Sequence, residues 1–126
     1  MRLTLRDGLP WVTLTIEHAG KRIEVPDVLV DTGSAGTMLS ADIAGKLGIQ
    51  PSPSDKLFFI RGVGGQEVVY TFKIDGIGIG HSRPAPFEVE IGAMDYGLPI
   101  NGILGMDYLR AKAARMDLGR LNIEFR

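Results

Sequence analysis

The run Val30-Asp31-Thr32-Gly33-Ser34 is where residue types and spacing in this sequence best suit chemistry. The apolar stretch Val28-Leu29-Val30 brings a carboxylate to the edge of a dry core, and Gly33 permits a tight turn that returns backbone N–H groups towards it. Thr32 and Ser34 add hydroxyls to the same loop, with Ser34 expected to support Asp31 by hydrogen bonding. A carboxylate held in this way is partly desolvated and open to tuning by its neighbours. One such group does little by itself. Two that share one proton can hold a water between them, one taking its proton while the other donates to a carbonyl oxygen.

Other chemistry finds less support. Gly76-Ile77-Gly78-Ile79-Gly80 lacks the spacing of a dinucleotide loop, and Pro84 and Pro86 follow where a helix would be needed, so it reads as strand and turn. No Gly-Lys-Ser/Thr is present, which excludes a P-loop. Ser34 with His81 and an aspartate could make a hydrolase triad, but Thr32 stands where a nucleophile elbow has its first glycine. His18 and His81 share no metal-ligand spacing and are expected in exposed turns, and Asp95, Asp107 and Asp117 read as caps or surface charges.

The elements that position Asp31 follow from periodicity. Residues 11–17 alternate with period two, His18-Ala19-Gly20-Lys21 supplies a turn, and residues 22–25 alternate again: a hairpin. Ser40 is a candidate N-cap for a helix of one or two turns that stops at Gly48. Residues 57–60 and 67–72 read as two strands around the glycine-rich tip Arg61-Gly62-Val63-Gly64-Gly65-Gln66. Residues 74–79 and 87–91 are further strands, and Ile103-Leu104-Gly105 belongs to a buried run. Residues 106–116 read as the best helix, and residues 121–125 alternate as a terminal strand.

At 126 residues the chain suits a single domain spanning residues 1–126, too short for two catalytic lobes. The charges nearly cancel, 14 basic against 15 acidic, so the basic excess of a nucleic-acid partner is missing. The absence of cysteine excludes disulfides and thiolate chemistry. No apolar stretch has signal-peptide or membrane-spanning length, and a cytoplasmic location is expected. The 17 glycines, set between β-branched runs, favour an all-β domain rich in turns.

Three segments together carry a resemblance. Val30-Asp31-Thr32-Gly33-Ser34 resembles the catalytic motif of aspartic proteases, and Ile60-Arg61-Gly62-Val63-Gly64-Gly65 is similar to the flap of retroviral proteases. Ile103-Leu104-Gly105-Met106-Asp107-Tyr108-Leu109 resembles the hydrophobic-hydrophobic-Gly segment and helix near that family's C-terminus. In that order they identify a retropepsin-like aspartic protease of the bacterial or cellular kind. The resemblance implies a small all-β fold, a closed barrel with a glycine-rich flap hairpin and one short C-terminal helix. It also implies a homodimer, with peptide hydrolysis by paired Asp31 carboxylates and no cofactor or metal.

Carried over by position, Asp31 is the catalytic group, Thr32 bonds across the dimer axis, and Gly33 lies beside the substrate. Gly62, Val63, Gly64 and Gly65 form the flap, residues 102–105 pack under the active-site loop, and residues 121–125 help build the dimer interface. Ser34-Ala35-Gly36 departs from the viral pattern, where acidic residues follow, and Met106 stands where a basic residue is usual. The alternative reading is a non-catalytic retropepsin-like domain that dimerises or binds peptides.

Overall fold

In the computed structural model, which describes residues 1–62 and 65–126, the chain begins with two hairpins in succession. Strand β1 (Thr4–Arg6) turns through Asp7 and Gly8 into β2 (Leu9–His18), which turns through Ala19 and Gly20 into β3 (Lys21–Val30). Both turns place two residues at positive φ (52° and 75°, then 50° and 80°), the backbone twist that suits a two-residue hairpin. Glycine takes the second position at no steric cost. The strained Ala19 is held by its N–H, which donates to Asp75 Oδ2 at 3.0 Å.

Six strands close a barrel. From β3 the ladder runs to β8 (Gly102–Leu104), β4 (Met38–Ser40), β7 (Ala85–Gly92) and β6 (Gly65–Ile79), and β6 pairs back onto β2. Closure follows from the register Leu14↔Ile79 to Glu17↔Gly76, which leaves β2 hydrogen-bonded along both sides. Strand β5 (Phe58–Gly62) extends β6 beyond the barrel as an antiparallel arm. Inward-facing Leu14, Ile16, Val25, Val28, Leu39, Ile74, Ile77 and Leu104 are fully buried, as period-two alternation requires.

The helix α1 (Ala41–Lys46) starts where expected, with Ser40 Oγ accepting from Ile43 N at 3.2 Å. It ends at Leu47, with Gly48 at φ 76°. Residues 67–72 and 74–79, read as separate strands, are one strand with an irregularity between Ile74 and Ile77.

The largest departure concerns residues 106–116. Helix α2 occupies only Met106–Ala111, Ala113 turns the chain at φ 47°, and Arg115–Asp117 form strand β9, paired with β10 (Asn122–Glu124). The Ala, Lys and Arg content favours helix, but propensity is a weak prior beside burial. Only Tyr108 and Leu109 of the helix are buried, whereas the reversal lets Ala114 and Ile123 reach the core. No helix among the described residues is long and apolar enough to cross a membrane.

Candidate active site

Asp31 leaves β3 at the point where that strand lies parallel to β8, and its N–H donates to Leu104 O at 3.0 Å. Val28 and Val30 anchor the strand in the core below it. The side chain folds back into its own loop: Gly33 N donates to Asp31 Oδ1 at 2.9 Å, while Ser34 N donates to Asp31 O at 3.2 Å. An Asp side chain accepting from the N–H two residues on is a self-made turn. A Cβ at position 33 would stand 3.1 Å from Oδ1, so any other residue there crowds the carboxylate. Asp31 is half-buried, and Thr32 and Gly33 are exposed at the rim.

Ser34 serves the loop by a different bond from the one expected. Its Oγ donates to Gly36 O at 2.8 Å, so it braces the backbone that carries Asp31 and not the carboxylate. It makes no triad hydrogen bond to histidine among the described residues. His18 is not in an exposed turn: it ends β2, packs edge-on to Phe72, and accepts from Asp75 N at 3.2 Å through Nδ1.

Beneath the loop lies the start of α2. Met106 N donates to Ser34 O at 2.8 Å and Asp107 N to Ala35 O at 3.2 Å. Gly105 sits so close that a Cβ there would overlap the Gly36 carbonyl. Thr37, 1% exposed, ties the two segments. Its Oγ1 accepts from Gly105 N at 3.0 Å and donates to Asp107 Oδ1 at 2.7 Å, and its own N–H donates to Asp107 Oδ2 at 3.2 Å. Asp107 Oδ1 also accepts from Tyr108 N at 2.7 Å. Asp107 is therefore a clamp under the Asp31 loop and not a free surface charge. The sequence carries a faint signal for it, an Asp two residues after the glycine of the buried run.

A second carboxylate group borders the loop. Glu90 lies so close to Gly36 that a Cβ there would meet its Oε1. Burial pushes the Glu90 carboxyl above its ordinary value, and the charges of Asp107 and Glu67 push it the same way. Glu67 accepts from Met94 N at 2.8 Å and from the Tyr96 hydroxyl, and burial followed by that bond raises the Tyr96 pKa.

Next to these groups a second apolar cluster, separate from the barrel core, joins Met38, Val69 and Met94 with Ile60, Ile100 and Ile103. Through Ile60 it fastens the β5–β6 hairpin to the strand that follows the Asp31 loop. In that hairpin Gly62 pairs with Gly65, and the expected flap residues Val63 and Gly64 lie outside the described residues. An open recess of about 510 Å³ beside Ser40, Asp42, Met94 and Asn101 has no residue of the Asp31 loop in its lining.

The family model for aspartyl proteases matches residues 12–108, a span that includes Asp31, Thr37 and Asp107. The chain belongs to the aspartyl protease family. No curated protein sequence matches it. Its fold is similar to that of a retropepsin-like aspartic protease from Rickettsia conorii, with a TM-score of 0.69 and 22% identity over 98% of this chain and 95% of that one. The aspartyl protease fold here is thus the retropepsin-like barrel expected from the three motifs, with α1 as a second short helix. The family match ends at Tyr108, so the β9–β10 hairpin lies beyond it.

Proposed function

We propose that this aspartyl protease is a homodimeric endopeptidase in which the Asp31 carboxylates of two copies share one proton and activate the attacking water. The observation that carries this reading is the Asp31 loop. One carboxylate, seated by Gly33 N and open to solvent beside Thr32, is half of the acid–base pair the family's chemistry requires. The ionised member takes a proton from the water while the protonated member donates to the peptide carbonyl oxygen.

In this reading Thr32, exposed at the rim, bonds its counterpart across the axis, and Gly33 leaves room for a peptide backbone. The β5–β6 hairpin closes over the peptide as a flap and excludes bulk water. The cytoplasm is the compartment we assign.

Asp31→Asn and Asp31→Ala are the deciding variants. Each is expected to abolish cleavage of a casein or peptide-library substrate while leaving the melting temperature and dimer intact. Cleavage that persists in pure Asp31→Ala protein rejects the mechanism. A wild-type dimer that binds peptides without cutting them at any pH points to the non-catalytic alternative.

A further inference from the structure

We infer that Glu67 is a positioning residue for the β5–β6 hairpin, a latch whose carboxylate seats in a socket built by residues 92–96 and holds the base of the hairpin against the barrel. The inference rests on reading that hairpin as the part that closes over a bound peptide, and it names what sets its position.

The hairpin needs such a hold. The ladder between β6 and β7 runs only as far as Tyr70↔Ile91, so β5 and the first residues of β6 pair with each other and not with the barrel. A two-stranded ribbon by itself is at best marginally stable in water. Side chains must therefore fix it. Residues directly opposite in an antiparallel pair share a face, and Ile60 lies opposite Glu67. Val69, two positions further along β6, lies on that face too. It is 1% exposed, whereas Phe59 and Val68 on the other face are 71% and 45% exposed. Ile60 and Val69 join the second apolar cluster, and Glu67 is the charged member of the same face.

The socket fits a carboxylate. Oε1 accepts from Met94 N at 2.8 Å and Oε2 from the Tyr96 hydroxyl, so each oxygen has its own donor. Gly92 leaves the space, since a Cβ there would stand 2.8 Å from Oε1 and 3.1 Å from Val69 Cγ1. Met94 holds a positive φ of 55°, a conformation side chains rarely adopt, with its N–H on Glu67 and its side chain buried in the apolar cluster. Burial and then the bond to Glu67 raise the Tyr96 pKa, which keeps the hydroxyl a donor.

Among the described residues, every side-chain hydrogen bond between this hairpin and the barrel runs through Glu67. The apolar cluster beside it includes Met38 and Ile103, on the strands that flank the Asp31 loop. A seated Glu67 thus fixes the hairpin relative to the loop that carries Asp31. Releasing the carboxylate leaves only the apolar hold and lets the hairpin swing from Tyr70.

Three variants attack the latch from different sides. Tyr96→Phe removes one donor and keeps the ring, Gly92→Ala fills the socket, and Glu67→Ala removes the latch. Amide hydrogen exchange of each protein without substrate should show residues 58–62 and 66–69 opening about tenfold more often, the effect of losing one hydrogen bond to a charged group. Amides of β2 and β3 should keep their wild-type rates. Adding Tyr96→Phe to Glu67→Ala should change nothing more, because the hydroxyl has already lost its acceptor.

With a casein-derived peptide that the wild type cuts, KM should rise about tenfold and kcat stay within about twofold, as when binding shared by ground and transition states is lost. Wild-type exchange in the hairpin of Tyr96→Phe and Glu67→Ala overturns the latch, and so does a rise spread equally over β2 and β3. A fall in kcat at unchanged KM overturns its part in peptide binding. A wild-type protein that cuts no peptide overturns the endopeptidase reading, and the exchange rates still decide the latch.

Discussion

Asp107 receives three donors on one carboxylate, from Thr37 N, Thr37 Oγ1 and Tyr108 N. Asp107→Ala removes that acceptor beneath the Asp31 loop, and hydrogen bonds to charged groups contribute about 1.5–3 kcal/mol each at most. Water reaches the exposed Asp107 and offsets part of this. A net loss of about 1–3 kcal/mol is expected from thermal or urea unfolding, together with a fall in kcat, because the loop carrying Asp31 loses its brace. Asp107→Asn keeps an acceptor oxygen and should fall between the two.

Glu90 behaves in the opposite sense. Its pKa is raised in the folded state, so its contribution to stability is fully present below the unfolded carboxyl value and is lost as pH rises through the folded one. Glu90→Gln should therefore raise the melting temperature at pH 7, and the advantage should vanish at about pH 4, near the ordinary glutamate value. Melts of both proteins at the two pH values measure this directly.

At the scale of elements, the site depends on how closely α2 enters beneath the Asp31 loop. Gly105→Ala places a methyl group against the Gly36 carbonyl, which is backbone and cannot rotate away. Overpacking of this kind costs about 1–3 kcal/mol. Activity should fall further than stability does, since the displaced segment is the loop itself. Comparing kcat with the unfolding free energy of the same variant checks this.

The strands were legible because alternation and turn residues are local, as at Ala19-Gly20 and along residues 11–17. The extent of α2 was not. Residues 110–116 look helical by composition, and only the chance to bury Ala114 and Ile123 makes the chain reverse after Ala111.

For the whole molecule, the proposed mechanism makes catalysis a property of the pair, because a chain of 126 residues carries a single Asp31 loop. Specific activity should therefore fall on dilution below the dimer dissociation constant, with initial rates approaching the square of protein concentration. An assay across a dilution series, compared with sedimentation of the same samples, tests this. Rates strictly proportional to concentration through the range where the sample is monomeric would contradict it.

The amino-acid order alone determined the motif at Asp31, the glycine-rich hairpin, the buried run before Gly105 and the all-β class. Each of these is written in neighbours a few residues apart. Tertiary structure alone decided that Asp107 clamps Thr37, 70 positions away, and that Glu90 fills the space Gly36 leaves empty. It also decided that β10 lies between β9 and the N-terminal segment. Such contacts arise only when the barrel closes and brings distant strands together, and no local pattern encodes which side chains then meet.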